Sequence, residues 1–205
     1  FELAKRLSNT DDLRFSGNIF NFLNRNDNRS VTTNMDFTVN SNPLIPYGVF
    51  RRIWDHFPIP YETFFSESDV THFFNYIVPP KVKGRVLTTI YDMSYKFHPD
   101  TLDKSNYKRI VNGIHHSVDR SDLIVTISEN SKKEIMEEFN IPENQIRIVY
   151  PSFDMAVGNQ DFPSITRRFK IPSKYILYVG NLEPRKNIPM LIHAFASLKK
   201  ENGLD

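Results

Sequence analysis

A continuous apolar segment in the second half of the chain constrains the fold more than any other feature. Residues 123–127, LIVTI, have the length and composition expected of a strand that is buried on both faces. Strands of this kind belong mainly to parallel sheets whose two faces are covered by helices. Strand composition further predicts strands at 69–75, 86–91, 146–150 and 175–179, and a shorter one near 35–39.

Helical patterns alternate with these strands. The spacing of apolar residues predicts helices at about 1–8, 48–57, 103–119, 131–139 and 188–200. Ser131 and Glu134 form a capping-box pattern at the start of the fourth helix. The predicted buried face of the last helix consists of Leu191, Ala194, Phe195 and Leu198. This alternation predicts an α/β fold with an open, doubly wound parallel sheet.

The length of 205 residues indicates one whole domain and part of another, at roughly 150 residues per domain. Residues 151–172 contain three prolines and no clear periodicity, so we predict an interdomain linker there. Residues 1–150 would form one such α/β domain that lacks its first strand. Residues 173–205 would be the first strand–helix unit of a second domain. Both ends resemble cuts through longer elements, which predicts a fragment.

Composition excludes several classes of function. The chain has no cysteine, which excludes disulfides, thiolate metal sites and cysteine nucleophiles. Its net charge is +2, from 26 basic and 24 acidic residues, which gives no support to nucleic-acid binding. The chain contains no apolar run of the roughly 18 residues that a membrane-spanning helix needs, and no signal peptide.

Ligands of open α/β sheets bind beyond the carboxyl ends of the strands, so polar residues at those ends are candidate site residues. Asp92 follows the 86–91 strand and Ser128 follows the 123–127 strand. Asp92 is either a site carboxylate or a residue that caps the next turn. Ser128 is interpreted first as a helix cap, with donation to a ligand oxygen as the alternative. His72, beside a short strand, is a candidate for the wall of a cleft.

The loop at 180–187, GNLEPRKN, carries the strongest chemical signal. Gly180 permits a tight turn and close approach of a ligand. Arg185 and Lys186 come just before the last helix, whose N-terminus already favours anions. Together these groups would neutralise a diphosphate without a metal ion. The alternative is a solvated basic pair beside a helix start.

Other catalytic motifs are missing from the sequence. It contains no P-loop, no GxGxxG turn, no HExxH and no GxSxG nucleophile elbow. It also contains no Asp-x-Asp pair that could hold a divalent cation beside a nucleotide sugar. The sequence therefore predicts neither a metal site nor a cofactor.

Five segments in order resemble the GT-B glycosyltransferases of the family-4, or group 1, type. They are DVTHFFNYIVPP, VLTTIYDMSY followed by FHP, SDLIVTISENSKKEI, IRIVYPSFD and YILYVGNLEPRKNIPMLIHAF. The segment GVFRRIW resembles the Arg-rich stretch that some of these enzymes carry upstream. The resemblance covers about residues 47–205.

The resemblance implies two Rossmann-like domains that face each other across a cleft, with the acceptor on the first and a nucleotide diphosphate sugar on the second. It implies transfer of a hexose with retention and without metal, for which family prevalence suggests GDP-linked mannose. The acceptor would be a glycan or a lipid-linked sugar. Arg185, Lys186 and Gly180 would contact the donor diphosphate. Asp92 would lie at the cleft as a catalytic carboxylate, with Tyr91, Ser128 and His72 on the acceptor side.

This sequence departs from the family pattern at several points. Tyr91 stands where the family usually has histidine, and Pro151-Ser152 replaces a common Asn-Gly pair. The Gly-rich loop before the first helix and the E-x7-E segment of the donor site are missing from this sequence. We therefore expect the chain as given to be catalytically incomplete.

Two other classes of function stay open. One is a non-catalytic module with a GT-B half-fold that binds a carbohydrate or a protein partner. The other is a nucleotide-binding or regulatory α/β domain. The resemblance also implies a cytoplasmic protein with an option of peripheral contact at the inner face of the membrane. The segment 48–57 would make that contact through its apolar face, unless this face packs into the core.

Overall fold

The computed structural model describes residues 2–24, 37–54, 56–102, 104–152, 162–172 and 174–201. Strands and helices alternate through most of this range, as the sequence predicts. The strands are β1 (Ser16–Phe20), β2 (Thr38–Asn42), β3 (Val70–Phe73), β4 (Arg85–Thr89), β5 (Leu123–Thr126) and β6 (Ile146–Ile148). The helices are α1 (Glu2–Ser8), α2 (Tyr47–Ile53), α3 (Ser94–Phe97), α4 (Lys104–Arg120), α5 (Glu129–Phe139), α6 (Phe162–Phe169) and α7 (Ile188–Glu201).

All strand pairs of the described residues are parallel. One sheet has the order β3-β4-β5-β6, and a second sheet consists of β1 and β2. The α/β, Rossmann-like class predicted from the sequence is therefore confirmed. The central strands β4 and β5 are buried on both faces, as their apolar composition requires.

The main core lies between the four-stranded sheet and the helices α4 and α5. Ile114 and Val118 of α4 and Ile135 of α5 pack with Ile124 and Ile146 of the strands. Burial of these apolar side chains is the main source of stability for the sheet. The helix α4 is also held by Ser117, which is fully buried and accepts a hydrogen bond from the backbone N–H of Val78 at 2.8 Å.

A second core is built from aromatic side chains around α2. Phe50 lies 5.3 Å from Trp54, 4.8 Å from Phe64 and 5.4 Å from Phe20, measured between ring centroids. Phe50 and Trp54 are buried, whereas Phe57 and Arg52 are exposed. Phe50 and Trp54 of the segment 48–57 therefore pack into the protein, whereas Phe57 does not, and the helix ends at Ile53. Because Phe50 and Trp54 are buried, they are not available for the membrane contact that was the alternative interpretation of this segment.

The predicted strand at 175–179 does not form. The structure assigns no strand to these residues, and Ile176, Leu177 and Val179 are exposed. A strand needs a neighbour for its backbone N–H and C=O groups, and no described residue supplies one here. The predicted buried face of α7 is also wrong, because Leu191, Ala194, Phe195 and Leu198 are exposed.

The range 151–172 contains the helix α6, which the sequence did not predict. The division into domains stays a prediction, as does the role of this range as a linker. None of the described helices combines the length and the apolar character that a membrane crossing requires.

Candidate functional site

Four of the predicted site residues lie at or near the carboxyl edge of the main sheet. His72 is the third of the four residues of β3, Tyr91 and Asp92 follow β4, and Ser128 follows β5. The strands are parallel, so their carboxyl ends meet at one edge. We call the edge formed by these residues and their neighbours the carboxyl edge.

His72 forms part of the wall of this edge. Its Nε2 lies 2.8 Å from Oγ1 of Thr89 on the adjacent strand, and its ring stacks on Phe74 with 4.2 Å between centroids. Burial lowers the pKa of His72 to about 4, because the charged imidazolium would lose its water. The imidazole is therefore neutral near pH 7. It suits a polar contact with a neutral group better than charge stabilisation.

Tyr91 links the ends of two strands to a helix. Its hydroxyl donates to the carbonyl oxygen of Phe74 at 3.0 Å, and its own carbonyl oxygen accepts from Oγ of Ser131 at 3.1 Å. These two bonds hold the loop after β4 against β3 on one side and α5 on the other. The ring of Tyr91 is nevertheless exposed, so one face is accessible to a ligand.

Ser128 is the N-cap of α5. Its backbone is extended, and its Oγ accepts a hydrogen bond from the N–H of Ser131 at 3.1 Å. The helix therefore begins at Glu129, before the predicted capping box at Ser131, and Ser131 is buried in its first turn. The capping role inferred for Ser128 is confirmed, and its hydroxyl hydrogen also lies within reach of Oγ of Ser131, 3.0 Å away.

Asp92 makes a local turn. Its Oδ1 accepts from the backbone N–H of Ser94 at 2.9 Å, which is the contact of an Asx turn before α3. The residue is exposed. A carboxylate held in this way is fixed in direction while one of its oxygens remains at the surface of the carboxyl edge.

Two aromatic residues at this edge were not singled out from the sequence. Phe74 and Tyr150 both follow strands, both are exposed, and the hydroxyl of Tyr150 lies 3.5 Å from Oε1 of Glu129. Both lie inside strands predicted from the sequence, which in the structure end earlier, at Phe73 and Ile148. An aromatic residue just past a strand end is the signal that could have identified them. Together with Tyr91 they give the carboxyl edge an aromatic surface.

The loop at 180–187 holds the other predicted site residues. Arg185 and Lys186 lie in a short 3-10 turn, Pro184–Lys186, directly before α7. Nε of Arg185 donates to Oε2 of Glu183 at 2.8 Å. Hydrogen bonds from Asn181 and Arg185 lower the pKa of the Glu183 carboxyl. One of the two predicted cations is thus paired within its own loop.

Gly180 differs from its predicted role in detail. It does not have a positive φ, so its backbone conformation does not require glycine. A Cβ at this position would lie 2.6 Å from the hydroxyl oxygen of Tyr178. The space beside Gly180 is therefore occupied by that hydroxyl, which itself donates to the carbonyl oxygen of Asn181 at 3.3 Å.

In the described part of the chain, no group of three His, Asp or Glu side chains comes together in a way that could hold an ion. The candidate site thus consists of neutral polar groups, aromatic faces and the carboxylates of Asp92 and Glu129 at the carboxyl edge, and of two cations in the 180–187 loop.

No protein-family model matches the chain. Curated proteins do resemble it. The O-antigen chain mannosyltransferase B of Escherichia coli is 29% identical over 134 residues, which cover 63% of this chain and 35% of that protein. The O-antigen chain mannosyltransferase RfbU of Salmonella typhimurium is 30% identical over 121 residues, covering 59% of this chain and 30% of that protein.

A third relative has a different sugar in its name. The N-acetylgalactosamine-N,N'-diacetylbacillosaminyl-diphospho-undecaprenol 4-alpha-N-acetylgalactosaminyltransferase of Campylobacter jejuni is 30% identical over 101 residues, 48% of this chain and 27% of that protein. The chain spans about a third or less of the length of these three relatives. All three are named as glycosyltransferases, and their identities to this chain are 29–30%.

Proposed function

We propose that this chain is part of a GT-B glycosyltransferase of the family-4 type. The observation that carries the proposal is the similarity to O-antigen chain mannosyltransferase B over 63% of the chain, combined with a parallel sheet of the Rossmann-like class. Residues 1–150 are then the acceptor-side domain, 151–172 the linker, and 173–205 the start of the nucleotide-sugar domain.

The proposed reaction is transfer of a hexose from a nucleotide diphosphate sugar to a glycan or a lipid-linked acceptor. Mannose is the proposed hexose, with GDP as the carrier, because two of the three relatives described above are named as mannosyltransferases. Transfer with retention and without a metal ion follows from the family resemblance. The whole protein's donor, acceptor and linkage belong to this proposal.

The proposed chemistry divides between two groups of residues. Arg185 and Lys186 neutralise the charge that develops on the leaving diphosphate, which is the main electrostatic contribution to such a reaction. The carboxyl edge receives the acceptor, with Asp92 as its carboxylate and His72 as a neutral wall. Exposed aromatic faces, such as those of Tyr91 and Phe74, supply apolar contact for sugar rings.

The test is a transfer assay on the natural gene product that carries this chain, with radiolabelled GDP-mannose. The double variant Arg185→Ala/Lys186→Ala should lower kcat/KM by about 100-fold or more, as loss of a charge-stabilising donor typically does. The matched control is Lys200→Ala, an exposed cation in the last turn of α7, which should leave kcat/KM unchanged.

Two outcomes would contradict the proposal at different levels. Undiminished transfer by the double variant would refute the assigned diphosphate site while leaving the enzyme class intact. Absence of transfer and of donor hydrolysis in the parent, together with glycan binding, would instead support the non-catalytic module.

A further inference from the structure

The charges at the carboxyl edge are all of one sign. The residues that directly follow the four strands of the main sheet contain no lysine, arginine or histidine; they are 74–77, 90–93, 127–130 and 149–152. The charged residues among them are Asp92 and Glu129, and both are exposed. The loops at this edge therefore present negative charge without a positive charge beside it.

The cations on the helices that follow these loops are already paired with carboxylates. Nζ of Lys96, in α3, contacts Oε2 of Glu138. Nζ of Lys132, in α5, lies 2.6 Å from Oε1 of Glu143. His72, on the wall of the edge, is neutral because burial lowers its pKa to about 4. None of these three side chains is thus left to attract an anion to the edge.

Each carboxylate at the edge keeps one oxygen for a ligand. Oδ1 of Asp92 accepts the backbone N–H of Ser94, and its Oδ2 has no partner among the described residues. Oε1 of Glu129 lies 3.5 Å from the hydroxyl oxygen of Tyr150, and its Oε2 is likewise unpaired within the described chain. An ionised carboxylate only accepts hydrogen bonds, so these oxygens suit a donor such as a sugar hydroxyl.

Aromatic rings flank the two carboxylates. Tyr91 directly precedes Asp92, and Tyr150 stands beside Glu129. Phe74 is joined to this group because its carbonyl oxygen accepts from the hydroxyl of Tyr91 at 3.0 Å. The rings of Tyr91, Tyr150 and Phe74 are exposed and offer flat apolar surface to the C–H groups of a sugar. The edge thus combines the hydroxyl and the apolar contacts that a neutral sugar requires.

An anionic group at the same place would be repelled. Like charges that face each other across a binding surface weaken binding, and no cation in the loops of this edge offsets the repulsion. A uronic acid, a phosphorylated sugar and the diphosphate of a lipid-linked acceptor all carry such a group. A neutral hexose offers similar hydroxyl donors without the charge. The arrangement therefore selects against anionic ligands as well as in favour of neutral sugars.

We propose that the carboxyl edge binds an uncharged sugar at the end of the acceptor and rejects a sugar that carries a carboxylate or a phosphate. The inference rests on the proposed function, which assigns this edge to the acceptor, and it narrows the acceptor to glycans with a neutral terminal sugar. Asp92 and Glu129 determine this specificity through their unpaired oxygens. The diphosphate of a lipid-linked acceptor then lies outside the edge.

The test compares sugars of the same shape and different charge. The probes are the methyl glycosides of mannose, glucose and galactose, the corresponding uronic acids, and the uronamides, which have the shape of the acids without their charge. Isothermal titration calorimetry on the natural gene product gives each Kd. All titrations use the Arg185→Ala/Lys186→Ala background, so that the cations of the 180–187 loop cannot attract a uronate.

We expect at least one neutral glycoside to bind, together with its uronamide. The uronic acid of that sugar should have a Kd at least about tenfold higher than the uronamide, because only the acid faces the two carboxylates with a like charge. Equal Kd values for the acid and the uronamide would overturn the proposal. Failure of every neutral glycoside and uronamide to bind would overturn it as well.

Substitutions assign the discrimination to the two carboxylates. Asp92→Asn keeps a side chain that forms the same turn, and Glu129→Gln keeps the side-chain length. Each should lower the ratio of the acid and uronamide Kd values about threefold or more. Loss of uronamide binding in a folded Asp92→Asn variant would also support the proposal, since it would indicate direct contact with a sugar hydroxyl. Circular dichroism verifies that each variant is folded.

The chain offers a matched control for each substitution. Asp119 is an exposed residue of α4, and Glu137 is an exposed residue of α5 about 12 Å along the helix from Glu129. Asp119→Asn and Glu137→Gln should change the ratio by less than about twofold. Equal reduction of the ratio by the controls would overturn the assignment, because it would indicate a general effect of net charge.

A separate measurement distinguishes failure of this inference from failure of the proposed function. Hydrolysis of GDP-mannose by the protein with an unaltered 180–187 loop tests the enzymatic role without an acceptor. Hydrolysis without discrimination between acid and uronamide would refute only the inference. Discrimination without hydrolysis or transfer would refute the enzymatic role and leave an edge that selects neutral sugars, as a non-catalytic module would.

Discussion

Two buried threonines on adjacent strands differ in what their hydroxyl groups contact. Oγ1 of Thr88 on β4 donates to the carbonyl oxygen of Asn75 at 2.9 Å. Oγ1 of Thr126 on β5 is buried without a hydrogen-bond partner in the part of the chain that the structure describes. Both residues have no exposed surface. A comparison of substitutions at these two equally buried positions therefore measures the energetic effect of one hydrogen bond.

Thr126→Val should be neutral or should raise the free energy of unfolding by up to about 1 kcal/mol, because it replaces an unsatisfied buried hydroxyl by a methyl group. Thr88→Val should lower that free energy by about 1–2 kcal/mol, because it leaves the carbonyl of Asn75 without its donor. Urea denaturation of both variants measures the difference. Equal losses in the two variants would contradict the assignment of Thr126 as unsatisfied.

For individual residues, the sequence predicted where a residue lies in the fold more accurately than what its side chain does. It placed Asp92 and Ser128 at the ends of strands, and both lie at the carboxyl edge. Their side-chain oxygens accept hydrogen bonds from nearby backbone N–H groups, which is the local capping role that the sequence also allows. Single residue identities cannot decide between a cap and a ligand contact, because the same oxygen chemistry serves both.

The connection between β3 and β4 depends on one glycine. Gly84 has a φ of +74°, and a Cβ there would lie 2.3 Å from the carbonyl oxygen of Ser68. The next residue, Arg85, donates its backbone N–H to the carbonyl oxygen of Asp69 at 2.8 Å, at the start of the strand pair. Any side chain at position 84 therefore strains the backbone where β4 enters the sheet.

We expect Gly84→Ala to lower the free energy of unfolding by more than about 2 kcal/mol, because the left-handed conformation and the backbone clash add together. Gly48→Ala serves as the control. Gly48 lies in α2 with nothing within 4 Å of its Cβ position, so alanine there should stabilise the protein by about 0.5–1 kcal/mol. Thermal and urea unfolding measure both effects. If Gly84→Ala left the free energy of unfolding unchanged, the inferred backbone strain at position 84 would be contradicted.

At the scale of elements, prediction succeeded where local pattern and burial agree. The apolar run at 123–127 became β5, buried on both faces, because its composition leaves no exposed alternative. The strand β1, Ser16–Phe20, was missed because its polar residues and short length give no periodic signal. The segment at 175–179 has strand composition but lacks a partner among the described residues. Pairing is a property of two segments and cannot be read from one.

At the scale of the whole molecule, His72 couples stability to pH. Burial holds its pKa at about 4 in the folded state, whereas the unfolded chain has the ordinary value of about 6.5. Between these values the unfolded state binds the proton and the folded state does not. The free energy of unfolding is therefore independent of this proton above about pH 6.5, and it falls as the pH decreases from about 6.5 toward 4.

His72→Gln keeps a group that can contact Thr89 and removes the titration. The parent should lose about 2 kcal/mol more than this variant between pH 7 and pH 4.5, measured by urea denaturation. His56→Gln is the control, because the ring of His56 is exposed and stays in water in both states. Identical pH profiles for parent and His72→Gln would contradict the burial of the neutral ring.

The parallel arrangement of every described strand pair also determines how the chain can fold. No pair can start as a hairpin, since β4 and β5 are joined through α4 and β5 and β6 through α5. Each pairing must first close a long loop. The entropic cost of this closure arises before the strand contacts that offset it have formed. Slow refolding, limited by chain search rather than by local helix formation, is the kinetic consequence of this topology.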